Sequence, residues 1–494
     1  MTKNTARLLT REAVAEHEWR LIVGGERRAA IGGSMFENLS PVTEGVACVL
    51  PDGDERDVAA AFDAGKAAVV EWAARAPRDR ARVVRELAQV AREHRDELAA
   101  LDAIDVGNAY TPMLGDVDMG CDSIEFMCDA ALHLSGETYN DMTKLLHYTR
   151  REPFGVVARI IAFNHPIMFA LQKISAPLVA GNAVILKPSD FSALSALRMG
   201  ELFSDVLPKG LLSVLVGKGP DLPRAIVRHP CIRRIGFIGS EMTGRAIQKD
   251  AADVAVKDVS LELGGKNAII VCEDVDIEAA ALGVVKGMNF VGWQSQSCSS
   301  TSRLYVHDSI ADRLIDEVVR LIGEITIGDP LDPATQMGTL ANQAQFDKTL
   351  RYIAQATEDG ARLRVGGKRS EVAERGFFVE PTVFDEVEAG SRIAMEEVFG
   401  PVLSTFRWTD EDDVIRQANS VNYGLTGAIW CRDIGRAHRL AHRLETGFVW
   451  VNDAAAHYAG VPFGGYKGSG IGKEESVEEL LSYSQTKTIN LSLT

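Results

Sequence analysis

The sequence predicts an α/β protein made of two doubly wound domains and a small β-arm. Three observations carry this expectation. From Gly155 onward, short apolar runs rich in valine and isoleucine alternate with stretches of helical spacing. A second series with the same texture runs from Asn267 to Asn452. Two further segments, residues 139–151 and 486–493, alternate polar and apolar side chains with no helical period and read as exposed strands.

Length and charge bound what such a chain can do. At 494 residues it exceeds what one hydrophobic core usually supports, so two or three domains are expected. Apolar residues make up 46% and charged residues 25%, which is ordinary for a folded enzyme and excludes wholesale disorder. The formal charge of −16 leaves no basic stripe for phosphate backbones or anionic lipid, so neither nucleic acid nor membrane is an expected partner. No apolar run approaches the roughly 20 residues that span a bilayer. Residues 1–16 carry scattered charges rather than the apolar centre of a secretion signal, and a cytoplasmic location is expected. Seven dispersed cysteines without a CxxC pair fit reduced thiols better than a disulfide scaffold or a zinc site.

Along the chain, residues 58–101 are rich in Ala, Arg, Glu and Leu at helical spacing and are broken once at Pro77, which predicts a pair of surface helices. The first strand series falls at residues 155–163, 183–186, 212–216 and 234–238. The second falls at residues 268–271, 304–306, 428–430 and 448–451. Strands that are apolar on both faces and separated by helices belong to parallel, Rossmann-like sheets, which bind nucleotides at their carboxyl ends. The two alternating segments leave open strand edges, and open edges seek partners. No repeat or low-complexity linker interrupts the chain.

Within this frame Cys298 stands out, because it sits in Gln294-Ser295-Gln296-Ser297-Cys298-Ser299-Ser300. Small hydroxyl neighbours leave room for a substrate and supply dipoles that can favour a thiolate, so the residue is a candidate nucleophile; the alternative is a structural cysteine in a loop. After the run ending at Ile238 comes Gly239-Ser240-Glu241-Met242-Thr243-Gly244. Glycine permits close backbone approach, and Ser240 can cap a helix whose free amides suit a phosphate, although a capped surface helix without a ligand reads the same way. Lys187 and Asp190 end another strand of that sheet. There they can bond ribose hydroxyls, with the acid disfavouring a 2′-phosphate, or simply form a solvated ion pair.

Together with four motifs, these residues make the chain resemble the aldehyde dehydrogenase superfamily over nearly its whole length. The motifs are Glu262-Leu263-Gly264-Gly265-Lys266, the Cys298 loop ending in Ser302-Arg303, Glu396-Glu397-Val398-Phe399-Gly400-Pro401, and Pro462-Phe463-Gly464-Gly465-Tyr466-Lys467-Gly468-Ser469-Gly470. The resemblance implies an NAD-binding domain over 1–134 and 154–265 and a catalytic domain over 266–479. It also implies an oligomerisation arm over 135–153 and 480–494 that joins subunits into a homodimer or homotetramer. It implies that Cys298 attacks an aldehyde carbon, that the Asn164 amide and the Cys298 backbone N–H hold the oxyanion, and that Glu262 activates water to hydrolyse the thioester. A carboxylate beside Gly264 and Gly265 can swing and be partly desolvated, which raises its basicity.

For the cofactor, NAD, the resemblance implies contacts from Ile161, Ala162, Phe163, Lys187, Asp190, Gly219, Gly239, Ser240, Thr243, Leu263, Glu397 and Phe399. It places His165, Phe169, Gln172, Trp293, His457 and Phe463 along the substrate tunnel, with Asn452 near its entrance. No metal is implied. The chain departs from the family in four places. Phe163-Asn164-His165-Pro166 replaces the usual Trp-Asn-Phe-Pro, Ser297 and Ser299 flank a single thiol, and Pro223 replaces a frequent glycine. Asp190 is one methylene shorter than the usual glutamate, which leaves NADP admissible.

The tunnel set contains no arginine to clamp a second carboxylate, so a neutral aromatic or medium-chain aliphatic aldehyde is the expected substrate. A semialdehyde dehydrogenase and a CoA-acylating relative are the alternatives, and the latter characteristically lacks the base that Glu262 supplies. A thiol hydrolase would show a histidine beside Cys298. A non-catalytic protein on this scaffold would be free to lose Asn164, Glu262 or Cys298, and all three are present.

Overall fold

The computed structural model describes residues 7–139 and 144–492. Residues 140–143 of the first exposed-strand segment, and Leu493 of the second, lie outside them. In chain order, the elements that position the site begin with β1 (Leu21–Val23) and β2 (Glu26–Arg28). Four helices follow: α1 (Glu55–Ala74), α2 (Pro77–Glu93), α3 (Arg95–Val106) and α4 (Tyr110–Asp129). Next come β3 (Thr138–Tyr139), β4 (Leu145–Pro153), β5 (Val156–Ile160), α5 (Pro166–Ala180), β6 (Ala183–Lys187), β7 (Leu212–Val214), β8 (Arg234–Ile238), α6 (Glu241–Ala252) and β9 (Asp258–Glu262). The second half supplies β10 (Ala268–Val271), β11 (Arg303–His307), α7 (Gln343–Glu358), β12 (Arg362–Val365), β13 (Thr382–Asp385) and β14 (Val402–Trp408). It ends with β15 (Thr426–Trp430), β16 (Phe448–Val451), β17 (Gly470–Ile471) and β18 (Ser484–Ser492).

Two large sheets organise these strands. The first has the order β2-β1-β7-β6-β5-β8-β9-β17, the second β12-β13-β14-β11-β10-β15-β16. Strands β5, β6, β8 and β10 are buried along their full length, which is why they read in sequence as largely apolar runs, broken inside β5 by Arg159. The sheets are not parallel throughout, as the texture had suggested. Strands β1 and β2 pair antiparallel at one edge of the first sheet and β17 at the other, and β12 is antiparallel in the second. Three of these edge strands are two or three residues long, too short to show a period.

Register brings the chemistry together. Parallel pairing sets Ile160 beside Lys187, Phe237 beside Ile160, and Ile238 beside Glu262, so the carboxyl ends of β5, β6, β8 and β9 share one edge. The Cys298 loop enters β11 at Arg303, which pairs with Ala268 at the amino end of β10.

One helical expectation is corrected. Residues 58–101 hold parts of three helices rather than two, and α3 is buried from Glu97 to Val106 instead of lying on the surface. Its charged residues look solvent-facing in sequence but serve its neighbours. Asp102 accepts from Ile167 N (3.0 Å) in the first turn of α5, Asp105 accepts from Leu194 N (2.9 Å) at the start of the next helix, and Glu97 pairs with Arg198 (2.8 Å). Burial drives the Asp105 carboxyl up to about 7.

The arm is a three-stranded sheet, β18-β4-β3, in which β18 pairs antiparallel with β4 from Ser484↔Pro153 to Ser492↔Leu145. Most of β18 is exposed. Of the cysteines, Cys231 is exposed, while Cys48, Cys121, Cys128, Cys272 and Cys431 are buried, and all seven thiols are free. Cys272, Asp274 and Cys431 bring their ligand atoms within 4.8 Å of one another past the ends of β10 and β15, a grouping that their sequence spacing hides.

Candidate active site

A cleft of about 670 Å³ opens at the carboxyl edge of the first sheet and runs inward to Cys298. Ile161, Ala162, Phe163, Asn164, Lys187, Asp190, Gly219, Gly239, Ser240, Thr243, Glu262, Leu263, Cys298, Glu397 and Phe399 all line it. The cleft therefore gathers every residue singled out for the cofactor and for the reaction. Its floor is built as an anion-binding helix start. Ser240 caps α6 by accepting from Thr243 N (3.3 Å), which leaves the first amides of a 12-residue helix facing the opening. At Gly239 a Cβ would collide with the Phe237 ring, so the backbone can lie close to a ligand only as glycine.

Lys187 and Asp190 do not pair directly; among the described residues no ion pair joins them. Instead Asp190 Oδ2 accepts from Gly219 N (3.0 Å), where the backbone is left-handed (φ +75°), and burial holds the Lys187 ammonium below its ordinary value. Both side chains still face the cleft.

At the inner end, the ELGGK segment explains its own glycines. Glu397 accepts from Gly265 N (2.8 Å), and a Cβ on Gly264 would overlap that carboxylate. Phe399, itself left-handed at φ 58°, meets Phe163 edge to face at 5.7 Å across the cleft. Its loop is fixed by Gln345 of α7, whose Nε2 donates to Val398 O (2.9 Å) and Phe399 O (2.7 Å).

Cys298 and Glu262 both line the base of the cleft, close enough that each shifts the other's ionisation. Burial dominates both. It raises the Glu262 carboxyl to about 8, and burial followed by the charge of Glu262 lifts the Cys298 thiol above its usual range. The hydroxyl-rich loop thus does not favour the thiolate as its composition had suggested, because Glu262 and, more weakly, Glu397 and Glu475 oppose a second negative charge. A proton moving from sulfur to the adjacent carboxylate resolves this, since it leaves one charge rather than two. Glu262 Oε1 is buried without a partner and is free to receive a donor such as water.

Several positioning residues carry no sequence signal. Asn267 donates to Cys298 O (2.7 Å) and Ser300 O (3.0 Å) and accepts from Thr426 N (3.0 Å), clamping the nucleophile loop to the second sheet. Asn108 Nδ2 donates to Asn164 O (2.8 Å). Behind Glu262, Glu474 bonds Arg159 (2.8 Å) and Lys173 (2.8 Å), and these cations hold its carboxyl down at about 2.

The residues expected near substrate form two ring clusters outside the cofactor cleft. His165 stacks near Phe169 (5.4 Å) and Trp293 (5.1 Å), while His457 lies 4.7 Å from Phe463 and 3.1 Å from Glu475. Both histidines are braced by carboxylates, the buried Asp116 and the half-buried Glu475, and neither bonds Cys298. Asn452 does not join either cluster through its side chain, which instead ties β15 to β16 through Cys431 N (2.9 Å) and Cys431 O (3.0 Å).

A doubly wound sheet whose carboxyl-edge cleft ends on a thiol beside a carboxylate points to a nucleotide-dependent enzyme with a candidate sulfur nucleophile. Sequence comparison makes the assignment definite: the pattern of the aldehyde dehydrogenase family matches residues 29–489, and the chain belongs to that family. It is 40% identical over 482 residues to aldehyde dehydrogenase tropH of Talaromyces stipitatus, covering 96% of this chain and 93% of that one. Among solved structures it resembles the NAD+ complex of an aldehyde dehydrogenase from Bacillus cereus (36% identity, TM-score 0.94, 98% of each chain). It also resembles the P. syringae indole-3-acetaldehyde dehydrogenase AldA in complex with NAD+ and IAA (35% identity, TM-score 0.94, 99% of this chain and 100% of that one).

Proposed function

We propose that this enzyme oxidises a neutral aromatic or medium-chain aliphatic aldehyde to the carboxylate with NAD, through a thioester on Cys298. The observation that carries the reading is the Cys298 and Glu262 pair at the inner end of the nucleotide cleft. The residues fit the cofactor. The capped start of α6 suits the pyrophosphate, Lys187 and Asp190 suit the ribose of the adenosine half, and Glu397 and Phe399 flank the place for the nicotinamide end. A nicotinamide bound there supplies the acceptor for the hydride that leaves the substrate carbon.

The chain's own residues do the rest. As sulfur bonds to the carbonyl carbon, its proton passes to the Glu262 carboxylate. The oxyanion is held by the Asn164 amide and the Cys298 N–H, each donor of this kind being worth about 3–4 kcal/mol at the transition state. After oxidation Glu262 releases that proton to solvent; ionised again, it takes a proton from water, the hydroxide adds to the thioester, the C–S bond breaks, and the sulfur regains a proton from Glu262 as the thiol. Hydrolysis makes the overall oxidation irreversible.

The aromatic rings of Phe169, Trp293 and Phe463 and the absence of arginine from that set support a neutral substrate. Residues 1–134 with 154–265 form the proposed cofactor domain and 266–479 the catalytic domain. The exposed strand β18 supports a homodimer or homotetramer. Seven free thiols suit a reducing, cytoplasmic setting.

Steady-state rates with benzaldehyde, hexanal and succinic semialdehyde, with NAD or NADP and with or without CoA, test this reading. Benzaldehyde or hexanal should win with NAD and need no CoA. A clear preference for the semialdehyde, or a requirement for CoA, would overturn it.

A further inference from the structure

Helices α4 and α5 run side by side next to the nucleophile, and the seam between them carries hydrogen-bond acceptors. His165, Phe169 and Gln172 stand at the spacing that puts successive turns on one face, and Asp116 and Ser123 of α4 stand opposite. Asp116 is buried, and its Oδ2 accepts from both His165 Nδ1 (2.9 Å) and Trp293 Nε1 (3.2 Å). A carboxylate on Nδ1 fixes the ring proton there, which leaves Nε2 as an acceptor.

That acceptor faces Ser297, the residue before the nucleophile, at 3.4 Å from Oγ, and the Ser297 hydroxyl has a second partner in Ser299 at 3.1 Å. The imidazole keeps 11% of its side-chain surface open although rings of Phe169 and Trp293 flank it. Seven residues further along, Gln172 Oε1 is buried with no partner. None of these groups lines the nucleotide cleft, so they serve neither the cofactor nor the sulfur chemistry. A cofactor bound in the cleft would occupy the approach to Cys298 from that side, so the aldehyde would have to reach the sulfur from another. An apolar substrate lying on this seam would leave the Gln172 acceptor unsatisfied.

We propose that the Asp116 and His165 pair is a specificity determinant whose Nε2 accepts a hydrogen bond from a hydroxyl carried by the aldehyde. Hydroxylated aldehydes, hydroxybenzaldehydes among the aromatic ones, are then the preferred members of the substrate class. This rests on the aldehyde-oxidising reading above. Asp116 strengthens the acceptor by polarising the ring, and Gln172 offers a second acceptor to a longer substrate.

The test compares kcat/KM for 2-, 3- and 4-hydroxybenzaldehyde with that of each methoxy counterpart, which donates electrons similarly but has no O–H. One pair should favour the hydroxy compound by at least about fivefold, the value of one hydrogen bond. His165→Phe should bring that ratio to about one, and His165→Gln, which keeps an acceptor, should hold it in between. Ratios within about twofold at all three ring positions in the wild type, or a ratio that His165→Phe leaves unchanged, would overturn the assignment. Should His165→Phe fail to fold, the wild-type ratios and His165→Gln decide. If no benzaldehyde and no hexanal yields NADH, the aldehyde-oxidising reading itself fails, and this assignment falls with it.

Discussion

Glu262→Gln keeps the shape of the side chain and removes its charge, and the structure sets the size of the effect. Burial holds the carboxyl at about 8. At pH 7 roughly one glutamate in eleven is then ionised, at pH 8 about half, and at pH 9 about nine in ten. Only the ionised form takes a proton from water, so thioester hydrolysis should rise about fivefold from pH 7 to 8 and less than about twofold from 8 to 9. An unburied glutamate would give a flat profile across that range. Removing a general base costs about 10²–10⁴ in rate, so the variant should stall by that factor and lose the inflection near 8. Stopped-flow absorbance of NADH separates the steps. The variant should release about one NADH per subunit, more slowly than wild type because Glu262 also takes the thiol's proton, and then stop. A missing first turnover, or a variant that keeps the inflection, would refute the reasoning.

Three other outcomes follow from the same geometry. Asn267→Ala frees two carbonyls and one amide that it now pairs and should cost about 2–4 kcal/mol in urea unfolding and lower kcat at least about tenfold, with nucleotide affinity unchanged; an unchanged kcat would deny the clamp. Asp190→Ser removes the negative charge at the expected ribose site, and steady-state kinetics should show the NAD to NADP preference falling about tenfold, whereas an unaltered ratio would place discrimination elsewhere. Deleting residues 484–494 removes the outer strand of the arm, and light scattering should find the full chain as dimers or tetramers and the shortened one as monomers; an equal subunit number in both would acquit the arm.

The parts of the molecule that were legible in its sequence share a physical cause. Strands β5, β6, β8 and β10 are covered on both faces, so burial wrote itself into largely apolar runs. The cleft residues were legible because they sit at strand ends and tight glycine turns, where backbone geometry limits the choice of side chain. What stayed hidden depends on contacts between distant side chains. Asp116 meets His165 from 49 residues away, and Asn267 reaches Cys298 O from 31 residues away, with no periodicity to announce either. The acids of α3 misled because a buried carboxylate that caps a neighbouring helix looks, in sequence, like a solvated one. The Cys298 loop misled in the same manner: its hydroxyls suggested a stabilised thiolate, whereas three-dimensional proximity to Glu262 and burial push the other way.

Whether one sulfur carries the acyl group is the point on which everything else turns. Glu262→Gln enzyme mixed with benzaldehyde and NAD, quenched in acid and digested, should show the benzoyl mass on the peptide containing Cys298 and on no other. An adduct on a different side chain, or an unmodified protein after NADH has formed, would contradict the mechanism.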